Sequence, residues 1–528
     1  MVSTAPHRFV TSLQETLSTT ESEFHRAYWD SQVDATAESE KRRTELELEL
    51  RRIKGDPEAL DVVTAALDET IHEPVLRRQL EVLRLSLTGN QMSAEQRLEM
   101  VTLSSAVEGD FAAYRPEVDG RRLTENDIEE ILKNSGDVSE RRRAWESSKE
   151  IGRLVAGRVR ELARLRNQVA RDHGFADYYR MSLSLQELPE TWLFDLLDEL
   201  EELSAAPFAA WKRELDSELT GRFGDTELMP WHYSDPFFQS LPPVGRVTLD
   251  DFLAEHDPAE LSVETFAAWG IDISGVIEGS DLYPRERKCQ HAFCIDVDRS
   301  GRDVRILANV IPGERWTEVM LHESGHAAYD VSIDSKLPYL LHRPAHIFVT
   351  EAAALLSGRL VRDPEWLESI AGATRADVDA IAPALRRATA AQMLVFARWG
   401  LVVAHFEREL FSDPEADLDT KWWDLVERFQ LLRRPPGRSE PDWAAKIHVA
   451  VEPVYYQNYL LGEMLASQLA HTCRERFGGL VGVPEAGAFL VEEIFRPGSS
   501  RRWDEIVEQA TGSPLSARSF VKDARLDS

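Results

Sequence analysis

Residues 321–326 read Leu321-His322-Glu323-Ser324-Gly325-His326, and this stretch decides the fold around it. On an α-helix, residues four positions apart lie one above the other, so His322 and His326 can direct imidazole nitrogens to one ion. Glu323 lies about 100° further around the helix, where its carboxylate can reach a water on that ion without being a ligand. The pattern therefore predicts a helical zinc site of the kind hydrolases use, with a third protein ligand elsewhere in the chain.

The residues that flank this pentad are apolar on several sides of the predicted helix, among them Trp316, Met320, Ala327 and Tyr329. We therefore expect both histidines to be largely buried. Burying three ionisable groups without a partner is costly, and a metal ion supplies that partner. The alternative interpretation is a pair of core histidines with a salt-bridged glutamate.

Residues 344–356 form a second helical pattern, in which Glu351 stands among small and apolar residues. Such a carboxylate would enter an apolar interior unless it binds or pairs with a cation. Glu351 lies 25 positions after His326, which leaves room for a loop and an antiparallel second helix. We predict Glu351 as the third ligand of one Zn²⁺ per chain. His342 and His346 are rival ligands, ranked lower because they fall in or next to the loop, and a solvated Glu351 is the remaining alternative.

The His-Glu-x-x-His helix with a glutamate at this wide spacing resembles the helical gluzincin peptidases. These include angiotensin-converting enzyme (peptidyl-dipeptidase A) and, more distantly, thimet oligopeptidase and oligoendopeptidase F. The resemblance is weak over most of the chain and good over residues 281–470. It implies a mainly α, large, bilobed metallopeptidase with a small β-hairpin or sheet beside the zinc helix and a deep central channel. It also implies hydrolysis of short peptides, with Glu323 as general base and release of C-terminal dipeptides.

Two stretches near residue 450 carry the resemblance to the converting-enzyme branch. Lys446-Ile447-His448 is similar to the family's Lys-Phe-His, which implies that Lys446 holds the free carboxylate of the peptide and His448 contacts the scissile region. In the following tyrosine-rich stretch, Tyr459 would match the oxyanion tyrosine and Tyr456 the one beside the substrate carboxylate. Tyr455 is the alternative to Tyr456, because the spacing from His448 is one residue shorter than the family's. By spacing alone, the tyrosines would be core aromatics and the lysine a solvated side chain.

A third stretch, residues 289–293, resembles the family's Cys-His-Ala strand, which would place His291 and Ala292 alongside bound peptide. Alternating residues from His291 to Asp296, followed by a turn and a second run at 304–310, predict a β-hairpin. The edge of that hairpin could hold an extended peptide by main-chain hydrogen bonds.

The sequence departs from the family at several positions. Asn458 replaces an arginine that helps to bind chloride, so chloride activation is not expected to follow from the resemblance. Leu355 replaces an aspartate that lies behind the zinc ligands, which leaves backbone carbonyls or a carboxylate such as Asp330 to orient the histidines. The glutamine of the family's carboxylate pocket has no clear counterpart, although Tyr233 lies in the corresponding stretch. A zinc carboxypeptidase, an internally cutting oligopeptidase and a non-catalytic peptide or metal binder remain as alternatives.

Composition sets the remaining expectations. The 528 residues include 61 basic and 92 acidic side chains, and the net charge of −31 argues against nucleic acid or an anionic membrane as partner. Three cysteines imply no disulfide framework, and residues 1–13 contain no long apolar core. We therefore predict a cytoplasmic protein without signal peptide or membrane span, whose partners are short peptides and whose oligomeric state the sequence does not indicate.

The chain contains no Gly/Ser linker, low-complexity tract or internal repeat, so we predict one helical peptidase unit over residues 1–528. Within it, residues 1–220 are predicted to form an N-terminal helical wall or lid, and residues 281–470 the zinc-binding catalytic region. Helical periodicity covers four segments of the N-terminal half: Ser12–Lys54, Pro57–Thr88, Ala94–Ala113 and Glu125–His173.

Overall fold

A computed structural model describes residues 5–242 and 248–526, and within them the chain is mainly α-helical, as predicted. The first helices are α1 (Ala5–Val33), α2 (Ala37–Lys54), α3 (Pro57–Asp68), α4 (Pro74–Thr88), α5 (Ala94–Ala113), α6 (Glu125–Asn134), α7 (Val138–Asp172), α8 (Tyr178–Leu185) and α9 (Glu190–Phe223). The middle helices are α10 (Asp250–Leu253), α11 (Pro258–Ala268), α12 (Ser274–Gly279), α13 (Glu314–Ser332), α14 (Ile347–Gly358) and α15 (Pro364–Ser369). The last are α16 (Arg375–Ser412), α17 (Leu418–Gln430), α18 (Ile447–Val451), α19 (Gln457–Phe477), α20 (Pro484–Phe489), α21 (Trp503–Thr511) and α22 (Arg518–Asp523). Short 3₁₀ turns occupy Pro230–His232, Tyr339–Leu341, Arg359–Arg362 and Asp442–Ala445, and a π-helix occupies Leu490–Phe495.

Three of the long predicted helical segments are interrupted, and in Glu125–His173 the break lies between α6 and α7. The segment with helical periodicity over Ser12–Lys54 is divided at residues 34–36, where Thr36 caps α2 with a reciprocal capping box to Ser39. The second segment breaks between α3 and α4, and Pro74 lies in the first turn of α4. Proline fits there because its missing N–H would have no partner within the helix. Periodicity identified the helices but not these caps.

The strands of the described residues form two short antiparallel hairpins. β1 (Glu117–Val118) pairs with β2 (Arg121–Arg122), and β3 (Phe293–Asp296) pairs with β4 (Val304–Leu307). The second hairpin packs against α13, so the prediction of a hairpin beside the zinc helix is confirmed. β3 begins at Phe293, two residues later than the predicted alternating run, so His291 and Ala292 lie in the loop before it.

The chain divides into two compact units, each built from stretches that are distant in sequence. The first unit comprises the described residues within Met1–Gln91, Thr248–Pro383 and Leu461–Phe520. The second comprises those within Met92–Val247, Ala384–Leu460 and Val521–Ser528. The predicted N-terminal region 1–220 and catalytic region 281–470 are therefore each shared between the two units. The predicted wall or lid and the predicted channel stay predictions.

Among the described helices, α16 alone is long and apolar enough to cross a membrane by length and composition. However, 78% of its apolar window is buried inside the protein, as in a core helix of a globular protein. The expected absence of a signal peptide concerns residues 1–13, of which residues 1–4 lie outside the described part of the chain.

Candidate active site

Three side chains of the first unit converge on one point. His322 and His326 extend from α13 and Glu351 from α14, and their ligand atoms all lie within 4.8 Å of one another. The Nε2 atoms of His322 and His326 lie 3.8 Å and 3.9 Å from Oε2 of Glu351. Ligands of tetrahedral zinc, at bond lengths near 2.1 Å, are about 3.4 Å apart. A shift of a few tenths of an ångström would therefore bring the three side chains to the spacing of zinc ligands. Two imidazoles and a carboxylate are also donors that zinc binds.

Gly325 explains how α13 and α14 come close enough. A Cβ at this position would lie 2.6 Å from Cα of Ala354 and 2.8 Å from the carbonyl oxygen of Ala353, so only glycine fits. On another side of α14, a Cβ on Gly462 of α19 would lie 3.1 Å from Cβ of Glu351. The helix that carries Glu351 is thus packed tightly against its neighbours, which holds the carboxylate opposite the histidine pair.

The rival histidines lie apart from the three predicted ligands. Nδ1 of His346 accepts a hydrogen bond from the Phe348 N–H at 3.1 Å, so His346 caps the beginning of α14. His342 is buried, and its Cε1 atom lies 3.6 Å from the position of a Cβ on Gly301. Among the described residues, the cluster of possible metal ligands contains His322, His326 and Glu351 and neither rival.

A hydroxyl group orients one of the histidines. Nδ1 of His326 lies 2.7 Å from Oγ1 of Thr350, the residue before Glu351. A proton on Nδ1 donated to this hydroxyl leaves Nε2 free to bind a metal. For His326 the orienting partner is therefore Thr350 rather than Asp330 or a backbone carbonyl. No sequence pattern marks Thr350, apart from its place beside the glutamate.

The electrostatics of the site suit metal binding. Burial lowers the pKa of His322 to about 4 and that of His326 to about 3, so both rings are neutral at pH 7, the form that binds metals. Burial, and then the charge of Glu351, raise the pKa of Glu323 to about 8, while the backbone N–H of Cys294 opposes the shift. A divalent cation at the three ligands would favour ionised Glu323.

The site keeps access to solvent on the histidine side. The side chains of His322 and His326 are 28% and 17% exposed, whereas that of Glu351 is 10% exposed. A catalytic zinc needs one position open to water. The exposure of the imidazoles is consistent with such a position.

The β3–β4 hairpin approaches the site at Cys294, whose backbone N–H acts to lower the pKa of Glu323. On the far side of β4, Asp281 donates its N–H to Ile306 and accepts the N–H of Ala308, both at 2.9 Å. β3 is therefore the outer strand of the pair. His291, which is exposed, and Ala292, which is half-buried, lie directly before it.

The second unit brings together another group of predicted residues. Nζ of Lys446 lies 6.0 Å from the ring centre of Tyr456, and the ring of His448 lies 5.5 Å from the same tyrosine. The Tyr459 ring lies 5.4 Å from that of Tyr456, whose hydroxyl accepts a hydrogen bond from Trp399 Nε1 at 2.6 Å. Lys446, His448, Tyr456 and Tyr459 thus form one cluster, which we call the lysine–tyrosine cluster.

Gln239 is the candidate residue that the sequence did not reveal. Its Oε1 accepts a hydrogen bond from Nζ of Lys446 at 2.8 Å, across 207 positions of sequence. The residue considered at the sequence level was Tyr233, but its hydroxyl donates to Asp216 at 2.8 Å and accepts from Lys212 at 2.6 Å. Gln239 is therefore the amide of this cluster, and only the tertiary structure could identify it.

Burial lowers the pKa of Lys446, against the charge of Asp235. Burial, and then the charge of Lys446, lower the pKa of His448 to about 4. At neutral pH His448 is therefore uncharged, and Lys446 is the source of positive charge in the cluster. An anionic ligand would relieve the cost of burying it.

The departures from the family have local explanations. Asn458, which replaces the arginine, is buried and donates from Nδ2 to Oε1 of Gln186 at 3.1 Å. Leu355, which replaces the aspartate, packs with its Cδ1 3.2 Å from the position of a Cβ on Gly462. A neutral amide pair and an apolar contact thus stand where the family has charged groups.

Comparison with known families gives two matches that cover different parts of the chain. Residues 279–526 match the model of peptidase family M3, and residues 3–205 match the model of angiotensin-converting enzyme. The first match contains the three metal ligands and Glu323. A comparison with curated proteins gave no match. The two matches confirm the resemblance to gluzincin peptidases and support a metallopeptidase of a kind that is typically zinc-dependent.

Proposed function

We propose that this metallopeptidase removes dipeptides from the C-terminus of short peptides that carry a free carboxylate. The observation that carries the proposal is the convergence of His322, His326 and Glu351 beside Glu323. Two neutral imidazoles, one carboxylate and an adjacent second carboxylate are the groups that metal-assisted hydrolysis requires.

Bound zinc would supply a Lewis acid that lowers the pKa of water and polarises the peptide carbonyl. His322, His326 and Glu351 would hold it. Glu323 would take a proton from the attacking water and deliver it to the nitrogen of the departing amine. The backbone N–H of Cys294 favours the ionised form of Glu323, which is the form that accepts this proton.

Further roles rest on the family resemblance. We assign Tyr459, with His448 or His291, to stabilisation of the oxyanion that forms when water adds to the peptide carbonyl. We assign His291 and Ala292 to the binding of extended peptide beside the outer strand β3. These roles are proposals for residues whose placement is given above.

The preference for a free carboxyl end rests on the lysine–tyrosine cluster. Lys446 offers a half-buried cation, Gln239 an amide and Tyr456 a hydroxyl, and these donors suit a carboxylate. A peptide anchored by its last carboxylate would be cut at a fixed distance from its end. Dipeptide release follows if that distance spans two residues.

Internal cutting is the second candidate function. The match to peptidase family M3 covers the part of the chain that holds the metal ligands, and it favours an oligopeptidase that needs no terminal carboxylate. A zinc carboxypeptidase would differ again by releasing single residues. A non-catalytic binder would keep the metal without turnover.

The test is mass spectrometry of a short peptide incubated with the zinc-loaded protein, in free-acid and C-terminally amidated forms. We expect C-terminal dipeptides from the free acid and much slower cleavage of the amide. Equal cleavage of both at internal bonds would favour the oligopeptidase, and single-residue release the carboxypeptidase.

The matched variants are Glu323→Gln and Glu318→Gln, both on α13, of which Glu318 is exposed. Glu323→Gln should lose turnover by about 10³-fold or more while it keeps zinc, because only the proton carrier is removed. Glu318→Gln should retain activity. Inactivity of the wild type on a varied set of peptides, with zinc bound, would overturn the peptidase proposal.

We also propose a cytoplasmic location and no nucleic-acid or membrane partner. The net charge of −31 supports the absence of nucleic-acid or membrane partners. All three cysteines lie within the described residues and are free thiols, which supports a reducing compartment.

A further inference from the structure

Val454 adopts a backbone conformation that a β-branched residue rarely takes. Its φ is +59°, in the left-handed region, where Cβ crowds the neighbouring carbonyl oxygen. It directly precedes residues 455–459, which we call the tyrosine segment because they contain Tyr456 and Tyr459. Strain of this kind persists only where surrounding groups enforce it.

Three side chains hold both polar groups of Val454. The N–H of Val454 donates to Oε1 of Glu407 at 2.9 Å. Its carbonyl oxygen accepts from Nε2 of Gln186 at 3.0 Å and from Nε2 of Gln457 at 2.8 Å. The turn before the tyrosine segment is therefore fixed from both sides of one residue.

Among the described residues, Glu407 makes this hydrogen bond and also interacts with the charge of Arg166. It is 1% exposed, as is Val454, so water cannot replace the hydrogen bond. Burial raises the pKa of Glu407 to about 8, against the Val454 N–H and the charge of Arg166. A largely protonated carboxyl can still accept the N–H through one oxygen, and within the described part of the chain its Oε2 atom is buried without a hydrogen-bond partner. A buried carboxyl kept at this cost calls for an explanation beyond packing.

One rigid helix provides two anchors for the tyrosine segment. Glu407 and Trp399 both belong to α16, eight positions or about 12 Å apart along the helix axis. Glu407 fixes the main chain of Val454, and Trp399 donates to the hydroxyl of Tyr456. α16 thus fixes both the backbone before Tyr456 and the hydroxyl group of the Tyr456 side chain.

We propose that Glu407 is a positioning residue for the tyrosine segment: by holding Val454 in its left-handed turn, it directs Tyr456 and Tyr459 for the reaction. This role rests on the proposed function, which assigns those tyrosines to the carboxylate and the oxyanion. Glu407 contacts no substrate and acts only through the backbone it holds.

The experiment compares Glu407→Leu, Glu407→Gln, Val454→Gly and the double variant Glu407→Leu/Val454→Gly. Glu407→Leu removes the acceptor, and we expect kcat/KM to fall about 10- to 100-fold, mainly through kcat, because reacting groups lose alignment. Glu407→Gln keeps an oxygen acceptor and should stay within about threefold of the wild type. In the double variant, the introduced glycine reaches a positive φ without steric cost, so activity should recover to within about tenfold of the wild type.

Stability supplies a readout that does not depend on the reaction. If Glu407 enforces the turn, Glu407→Leu should lower the unfolding temperature more in the Val454 protein than in the Val454→Gly protein, as a double-mutant cycle would reveal. Leu410 lies on the same helix and is 1% exposed, so Leu410→Ala leaves a cavity there. This variant controls for destabilisation alone and should leave kcat unchanged. If Glu407→Leu does not fold, Gln186→Glu removes the donor to the Val454 carbonyl and keeps the oxygen that accepts from Asn458. It should give a loss of about threefold that Val454→Gly reverses.

The outcomes separate the two proposals. Equal effects of Glu407→Leu in both backgrounds, without recovery of kcat by Val454→Gly, would overturn the positioning role. So would a loss of kcat in Leu410→Ala as large as that in Glu407→Leu. A third outcome is coupling in the double-mutant cycle of stability, with a wild type that cleaves no peptide. That outcome would overturn the proposed function, while the support of the turn by Glu407 would stand.

Discussion

The metal-ligand cluster and the lysine–tyrosine cluster are built in opposite ways. In the first unit, two ligands are four positions apart on one helix, and the third lies on the next α-helix, 25 positions further on. In the second unit, Lys446 meets Gln239 across 207 positions. The metal ligands thus come from local structure, whereas the pair suited to a substrate's free end comes from tertiary structure. Changes at the metal ligands should therefore affect every substrate, and changes at Lys446 and Gln239 only peptides with a free carboxylate.

The largest expected effect is that of Glu351→Gln. An amide is a weaker ligand than a carboxylate and brings no charge, so zinc content should fall well below one per chain, and cleavage of all peptides should fall by about 10³-fold or more. Metal analysis after dialysis and peptide turnover measure the two effects. Stoichiometric zinc with full activity would show that Glu351 is not a ligand, and the contrast between the clusters would fail.

A second prediction concerns the support of the hairpin beside the metal ligands. Glu21 of α1 lies 3.0 Å from Arg299, in the β3–β4 loop, and 2.5 Å from Lys54. Burial acts to raise the pKa of Glu21, but the charges of Arg299 and Lys54 hold it at about 2. The pKa lies below the unfolded value of 4.5, so the stabilisation is present above pH 4.5 and lost as pH falls through 2.

Glu21→Gln should therefore lower the free energy of unfolding by about 2 to 3 kcal/mol at pH 7, less than the full shift because burial also lowers the pKa of Lys54. The difference from wild type should shrink between pH 4.5 and pH 2, as urea unfolding at several pH values would measure. A difference that does not change with pH would contradict the ion pair. The lysine–tyrosine cluster should be unaffected, so the preference for free-acid over amidated peptide should stay the same.

The third prediction concerns the loss of that selectivity. Lys446→Met keeps an unbranched side chain one atom shorter and removes the charge, so KM for a free-acid peptide should rise about 10- to 100-fold, the loss expected for a charged hydrogen bond. The amidated peptide should be cleaved as by the wild type, with zinc unchanged. Equal losses on both peptides would mean that Lys446 supports the fold and not a carboxylate.

The contrast between local and tertiary structure also decides how much of each cluster could be predicted from the sequence. Helical spacing places His322, Glu323 and His326 relative to one another before any fold is known, and Gly325 lies within the same pentad. The close packing of Gly325 on Ala354 could not be predicted, because it depends on the crossing of two helices. The helices themselves were predictable from periodicity, but the interruption at residues 34–36 depends on a capping box that periodicity does not detect.

Gln239 illustrates the limit more sharply. It lies in an irregular stretch after Phe238, which has a φ of +51°, and its N–H is held by the carboxylate of Asp235. No helical or strand period extends through such a segment, so no pattern predicts which side chain faces Lys446. The resemblance predicted that an amide should exist, and only the folded backbone identifies it.

The fourth prediction tests the metal-ligand cluster without removing a ligand. Thr350→Val keeps the shape of the side chain but removes the hydroxyl 2.7 Å from Nδ1 of His326. Zinc affinity, measured by competition with a chelator, should fall about 10-fold, at the lower end of the range for such orienting contacts. Thr350→Ser should restore most of it. Equal affinities in the three proteins would show that the hydroxyl does not orient His326.

The smallest expected effect is that of Gln239→Leu, which removes the hydrogen bond to Lys446 but leaves its charge. One such bond contributes about 1 kcal/mol, so KM for the free-acid peptide should rise about fivefold. In the double variant with Lys446→Met, the Gln239 substitution should add little, because the two residues would bind one carboxylate as a unit. Additive losses would mean that Gln239 and Lys446 act separately. They would then be neighbours within the second unit and not the two halves of one carboxylate site.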